Sequence, residues 1–124
     1  MKTVIATDKA PAAIGPYSQG ISACSLTITS GQLPVDPATG AFAEGGIGAQ
    51  TRQSLENVKA VLAAAGLGME NVIKTTCFLA DMADFVAFNA VYAKYFTNNP
   101  ARSCVAVKAL PKGVLCEIEA LAVK

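Results

Sequence analysis

The sequence of 124 residues contains no histidine. Histidine is the most common general base in enzymes, and the Ser-His and Cys-His nucleophile pairs both depend on it. Its absence therefore excludes both pairs. Any chemistry at a site in this chain must use carboxylates, arginine, tyrosine, cysteine, serine, backbone groups and water.

The sequence also lacks close pairs of cysteines. Its four cysteines are Cys24, Cys77, Cys104 and Cys116, and no two of them form a C-x-x-C motif. Structural zinc sites usually need about four Cys or His ligands arranged as close pairs. We therefore expect no metal site and no cofactor, and we interpret the thiols as small apolar groups of the core.

Long apolar segments and basic clusters are absent as well. No apolar run approaches the roughly 20 residues that span a bilayer, and charges at Lys2 and Asp8 come too early for a secretory signal. The net charge is +1 and the basic residues are scattered, which argues against a nucleic-acid surface. We expect a cytoplasmic protein that binds neither membranes nor nucleic acid.

Hydrophobic residues, by contrast, are abundant at 52%. We interpret residues 1–124 as a single domain, since domains usually hold about 100–150 residues. So small a domain buries only about two-thirds of the surface of its unfolded chain. Part of the apolar excess is therefore expected to serve contacts between subunits.

Hydrophobic periodicity and turn residues predict the order β-β-β-α-β-α-β-β. The first helix is expected over 47–65, and the second begins near Asp81 or Asp84, either of which is a suitable N-cap. The second helix carries an aromatic stripe, interpreted as core, of Phe85, Phe88, Tyr92 and Tyr95 or Phe96. The strands are expected at 2–6, in a hairpin over 20–30, and at 72–79, 102–109 and 115–123.

This order predicts the α+β class, with a mixed β-sheet and both helices packed on one face. The other face would be bare, yet residues such as Val105 and Leu121 make the strands apolar on both sides. The economical explanation is that another subunit covers that face. The residues also permit the last two strands to pair as a hairpin through the loop 110–113, although nothing in the sequence requires it.

Arg102 is the first candidate functional residue, because it opens a predicted strand beside small residues. Strand alternation puts Arg102, Cys104, Ala106 and Lys108 on one face. A guanidinium binds a planar carboxylate through two parallel hydrogen bonds, so this position suits the recognition of a small acid. An ordinary surface arginine beside a buried thiol is the alternative.

Glu117 and Glu119 form the second candidate, since they share one face and interrupt an otherwise apolar strand. A partly buried carboxylate has its pKa shifted toward neutral pH, where it serves as acid or base. The alternative is that both are solvated. A weaker third signal comes from Tyr17, Ser30 and Gly31: glycine lets a ligand approach the backbone closely, but Ser-Gly at a strand end is usually only a turn.

Ordered motifs along nearly the whole chain resemble the Rid/YjgF family of reactive-intermediate deaminases. They are APAAIGPYSQ at 10–19, TSGQLP at 29–34, QSLENV at 53–58, VIKTT at 72–76, FNAVY at 88–92, PARSCV at 100–105 and EIEA at 117–120. The resemblance implies a homotrimer of chorismate-mutase-like (YjgF-like) fold with clefts between subunits. It places the last strand inside the sheet, which argues against the hairpin.

The resemblance further implies hydrolysis of 2-aminoacrylate and related enamines or imines, such as 2-iminobutanoate and 2-iminopropanoate, to 2-oxo acids and ammonia. Such hydrolysis protects pyridoxal-phosphate enzymes from damage. Arg102 is implied to bind the substrate carboxylate, and Glu117 to orient water or handle protons. The implied pocket-lining positions are Tyr17, Ser30, Gly31, Asn89 and Cys104.

Two alternatives to this function stay open on the sequence. A non-catalytic module that binds 2-oxo acids in the same cleft needs Arg102 equally. An RNA-directed role is disfavoured by the near-neutral charge, the absent histidine and the lack of a basic-aromatic platform. Within the deaminase interpretation, Cys104 is expected to be a wall of the pocket rather than a nucleophile, because no His or Lys stands beside it in the sequence to activate it.

Overall fold

Eight regular elements span the chain, and the computed structural model describes all of residues 1–124. They are β1 (Lys2–Ile5), β2 (Gly20–Ala23), β3 (Leu26–Thr29), α1 (Gly46–Ala64), β4 (Val72–Leu79), α2 (Phe85–Tyr95), β5 (Ala101–Ala106) and β6 (Cys116–Val123). Short 3-10 turns are found at Met69–Asn71, Met82–Asp84 and Pro111–Gly113. The order of strands and helices is the predicted one.

All six strands belong to one mixed sheet in the order β1-β2-β3-β6-β4-β5. β4 and β5 run parallel, and the other neighbouring pairs are antiparallel. A hairpin between β5 and β6 therefore does not form. The face of β6 toward the helices is wholly apolar, and the strand takes a central place between β3 and β4, as the family resemblance implies.

β5 is shorter than the sequence predicts, because it ends at Ala106 instead of residue 109. Val107 still donates its N–H to the carbonyl of Leu79 (2.9 Å), but residues 107–110 have no regular structure. Lys108 therefore lies beyond the strand, and the prediction that it shares a face with Arg102 is wrong.

Both helices pack on one face of the sheet, which confirms the α+β class. Leu55 and Val58 of α1 and Phe88 of α2 are fully buried there. Alternate residues of β6 point toward the helices, and Ile118 among them is fully buried as well. The aromatic stripe of α2 ends on buried Phe96.

The start of α2 differs in detail from the prediction. The carboxylate of Asp81 accepts a hydrogen bond from the N–H of Ala83 (2.9 Å), so Asp81 caps the 3-10 turn that precedes the helix. The α-helix itself follows Asp84, which makes no side-chain capping bond. Neither α1 nor α2 combines the length and the apolar character that a membrane crossing requires.

The opposite face of the sheet exposes large apolar side chains. Leu26, Ile28 and Val105 each keep nearly half of their surface accessible (46%, 47% and 46%). The alternation of β6 presents Glu117 and Glu119, both half-buried, on this same face. An apolar face of this extent is typical of a surface that another protein covers. It agrees with the predicted contact with a further subunit, which stays a prediction.

Candidate active site

Four of the predicted site residues gather around one open pocket of about 690 Å³. Tyr17 lies in the loop before β2, Ser30 and Gly31 follow β3 directly, and Glu117 belongs to β6. We call these four residues the acidic half-site. The rest of the pocket is lined mainly by apolar and small residues, among them Pro11, Ile14, Leu33, Val35, Phe42 and Pro111.

Gln19 holds the loop that carries Tyr17. Its buried amide accepts a hydrogen bond from the N–H of Thr7 (2.6 Å) and donates to the carbonyl groups of Thr7 (3.0 Å) and Pro11 (2.8 Å). Ser30 adds a further tie, because its Oγ donates to the carbonyl of Ser18 (2.6 Å). The loop therefore has a defined position although it contains no regular structure.

Helix α1 fixes another part of the pocket wall. The side-chain amide of buried Asn57 donates to the carbonyl groups of Leu33 (3.0 Å) and Val35 (2.8 Å). Gln50 accepts a hydrogen bond from the N–H of Leu115 (2.8 Å), just before the strand that carries Glu117. Helix α1 thus orients both the segment 33–35 and the start of the strand that carries the Glu117 carboxylate.

Position 31 has room only for glycine, because its backbone lies close to the carboxylate of Glu117. A Cβ added at Gly31 would lie 2.8 Å from Glu117 Cδ and would overlap the carboxylate oxygen Oε2. Real Cβ atoms do not approach so closely, so any side chain at this position displaces the carboxylate. The backbone of Gly31 and the carboxylate together form the floor of the acidic half-site.

The pKa of Glu117 is raised above the ordinary value of a glutamate. Burial is the larger cause, since it disfavours the charged form, and the charge of Glu119 two residues away adds to it. The two carboxylates share the uncovered face of the sheet, as the sequence predicts. A carboxylate shifted in this direction accepts a proton more readily near neutral pH.

Arg102 lies in a different environment, which we call the arginine half-site. Its Nη1 donates a hydrogen bond to Oδ1 of Asn89 (2.7 Å). The guanidinium carbon is 4.8 Å from the ring centroid of Tyr92 and 5.5 Å from that of Phe85. Distances below about 6 Å give a favourable cation–π interaction, so one hydrogen bond and two rings hold the charge in place.

Cys104 lies on the same face of β5 as Arg102, opposite Cys77 of β4. Burial raises the pKa of the Cys104 thiol, and the positive charge of Arg102 lowers it by less. The thiol is therefore protonated at neutral pH and is a poor nucleophile. This supports the interpretation of Cys104 as a wall of the half-site.

The structure does not bring the two half-sites together within one chain. Arg102 pairs in register with Thr75, which is buried beneath the helices. Glu117 pairs with Phe78, and its neighbour Ile118 is the residue that points toward the helices. Arg102 and Glu117 therefore lie on opposite faces of the sheet.

Sequence reasoning missed the aromatic part of the arginine half-site, because it assigned Phe85 and Tyr92 wholly to the core. A signal was present. One face of the second helix carries Phe85, Asn89 and Tyr92 at the spacing i, i+4 and i+7. A polar residue therefore stands between two aromatic residues on the helix that precedes the strand of Arg102. The hydrogen bonds that Gln19 and the amide nitrogen of Asn57 make with the loops carry no comparable signal, since those partners are backbone groups.

Fold and site together define a small α+β protein of the YjgF type, with an immobilised arginine on one face of the sheet and a pocket with an acidic residue on the other. The family model described as endoribonuclease L-PSP matches residues 7–124. The chain belongs to this family, the Rid/YjgF family.

Named relatives agree with this assignment. A 2-iminobutanoate/2-iminopropanoate deaminase of Salmonella typhimurium is 57% identical over all of this chain and 99% of its own. The Escherichia coli protein of the same name is 52% identical with the same coverage. The solved structure of the E. coli YjgF gene product has a TM-score of 0.95 at 52% identity, and E. coli TdcF with bound serine has 0.95 at 48%, each covering 98% of both chains.

We predict that Gly31→Ala lowers turnover about 10- to 100-fold, since misplacement of a catalytic group by about 1 Å has an effect of this order. The added methyl group must displace the Glu117 carboxylate, while the fold stays intact because a half-exposed side chain is able to move. Steady-state kinetics and thermal unfolding measure the two effects. Gly48→Ala is the matched control, since its Cβ meets open space in α1. Unchanged turnover in Gly31→Ala would contradict the assigned position of Glu117.

We also predict that Glu119→Gln moves the acidic limb of the pH–rate profile to lower pH. Removing the neighbouring negative charge stabilises the ionised Glu117, so the pKa of Glu117 falls toward its ordinary value. The ionised form, which accepts a proton, then persists at lower pH. Glu56→Gln, on the surface of α1, is the control that should leave the limb in place. A limb that stays fixed or moves to higher pH in Glu119→Gln would refute the role of ionised Glu117.

Proposed function

We propose that this protein hydrolyses small 2-imino acids and their enamine tautomers to 2-oxo acids and ammonia, without a cofactor. The observation that carries the proposal is the immobilised guanidinium of Arg102, half-buried and held by Asn89 and two aromatic rings. Such a group suits one small planar anion. The deaminase names of relatives more than 50% identical over the full chain support the same reaction.

Arg102 is proposed to bind the substrate carboxylate. One N–H of its Nη1 is engaged by Asn89, and the remaining N–H groups are free to form a two-bond contact with a carboxylate. A charge-assisted bond of this kind contributes roughly 1.5–3 kcal/mol net. The serine bound to E. coli TdcF is a small amino acid with a carboxylate, which fits this role.

Glu117 is proposed to orient the water that attacks the imine carbon. The water oxygen forms a bond to that carbon while Glu117 accepts a proton. The proton then passes to the nitrogen and the carbon–nitrogen bond breaks. Ammonia leaves as the remaining hydroxyl gives its proton to the Glu117 carboxylate and becomes the carbonyl group. An iminium carbon is already electrophilic, so holding water beside it removes several kcal/mol of the barrier by proximity.

The remaining residues of both half-sites are proposed to shape the cleft. Tyr17, Ser30 and the backbone of Gly31 would contact the substrate on the side of Glu117. Asn89 and Cys104 would contact it on the side of Arg102. Protection of pyridoxal-phosphate enzymes from reactive imines and enamines, in the cytoplasm, is the physiological role that this chemistry fits.

Completion of the site requires a second copy of the chain, and we propose a homotrimer with sites between subunits. Two observations support this: the half-sites lie on opposite faces of one sheet, and the face with Glu117 exposes Leu26, Ile28 and Val105. In a closed ring each subunit presents its arginine half-site to the acidic half-site of its neighbour. Three identical sites result.

The direct test is turnover of an imine made in situ. A threonine dehydratase releases the enamine of 2-iminobutanoate, and the protein should accelerate the appearance of 2-oxobutanoate and ammonia above the spontaneous rate. Binding of 2-oxobutanoate without such acceleration would refute catalysis and favour the 2-oxo-acid-binding module. Absence of both binding and acceleration would refute the small-acid site itself.

We predict that Arg102→Ala reduces kcat/KM at least about 100-fold, because the carboxylate loses two charge-assisted hydrogen bonds. Arg52→Ala is the matched control, since Arg52 is exposed on α1 and should leave kinetics unchanged. Sedimentation should give the same oligomer for both variants. Wild-type turnover in Arg102→Ala would contradict the carboxylate contact.

A further inference from the structure

Tyr92 is in contact with Arg102 and is held from several sides. Its hydroxyl forms a hydrogen bond with Oγ1 of Thr75 (2.7 Å), and Thr75 is only 1% exposed. Phe96 packs against the ring at 4.7 Å between centroids, and Phe88 at 5.8 Å. The ring of Tyr92 therefore has little freedom to move.

The guanidinium of Arg102 lies nearer to this fixed ring than to any other aromatic group. Its carbon is 4.8 Å from the centroid of Tyr92, against 5.5 Å for Phe85, which is only half-buried. Asn89 fixes one edge of the guanidinium by a single hydrogen bond. With one hydrogen bond alone, the guanidinium could still rotate about the axis of that bond. Contact with the flat ring of Tyr92 restricts this rotation.

We propose that Tyr92, locked by Thr75, is the positioning residue that holds the guanidinium of Arg102 in the plane needed for carboxylate binding. The inference rests on the proposed function, because it assigns to Arg102 the substrate carboxylate. Tyr92 itself does not touch the substrate. Its contact orients the guanidinium before the substrate arrives, so Arg102 loses less conformational entropy when the substrate binds.

The effect expected on catalysis is a change in KM more than in kcat. Loss of the ring removes a partly desolvated cation–π contact, which corresponds to a rise in KM of about tenfold in Tyr92→Leu. The value of kcat should stay within about twofold, because Glu117 and the water are untouched. Thr75→Val, which keeps the volume of the side chain, should raise KM by about threefold through loss of the hydroxyl partner.

Side-chain nitrogen NMR separates positioning from general damage to the fold. The chain has only two arginines, Arg52 and Arg102, so the signals are readily assigned by comparing the wild type with Arg52→Ala. Without substrate, Arg102 should show hindered rotation of its guanidinium and Arg52 free rotation. Tyr92→Leu should convert Arg102 to free rotation, whereas Tyr95→Leu, on the same helix but bonded to Glu56, should not.

The outcomes distinguish this inference from the proposed function. Free rotation of Arg102 in the wild type would overturn the inference without any variant, so it stays testable if Tyr92→Leu fails to fold. Unchanged KM in Tyr92→Leu, with turnover lost in Arg102→Ala, would overturn the positioning role alone. Wild-type turnover in Arg102→Ala would overturn the carboxylate contact and the inference with it.

Discussion

Alternation of side chains along β-strands separates the two charged groups on which the proposed chemistry depends. In β5 it turns Arg102 toward the helices, and in β6 it turns Glu117 toward the uncovered face. No rotamer change brings side chains across a sheet, so the separation is fixed by the backbone. The proposal that several copies of the chain complete each site rests on this one constraint.

Each half-site is prepared for a different electrostatic task. The guanidinium of Arg102 lies in a partly buried place, where aromatic rings and Asn89 replace part of the water around it. Glu117 is handled in the opposite way, since burial and Glu119 raise its pKa and make it a better proton acceptor. A fixed cation and a shifted carboxylate are the two groups that the proposed hydrolysis of an imino acid uses.

Much of the fold could be predicted from the sequence because its signals are local. The apolar period of 47–65 and the β-branched run of 72–79 identify α1 and β4 within one or two residues. The end of β5 was not predictable in this way, since Val107 continues the strand pattern and β5 ends where its partner β4 ends at Leu79. Strand order was equally hidden: the residues alone allowed a β5–β6 hairpin, the family resemblance argued against it, and the observed strand order excludes it.

The candidate site was predicted as a set of residues but not as an arrangement. Whether Arg102 and Glu117 share a face depends on the register of both strands with β4, which no local pattern encodes. The role of Tyr92 was hidden for a related reason, because an aromatic residue in a helical stripe gives the same signal whether it packs on apolar groups or on a guanidinium. Interactions between distant segments decide both questions.

The central claim is that every active site takes Arg102 from one subunit and Glu117 from another. Subunit mixing tests it most directly: Arg102→Ala and Glu117→Gln, each inactive alone, are refolded together and the mixed oligomers are verified by mass spectrometry. Random mixing in a trimer should restore about one quarter of wild-type activity, since each residue of a shared site is intact in about half of the subunits. Mixed oligomers with no more activity than either parent would contradict the shared site.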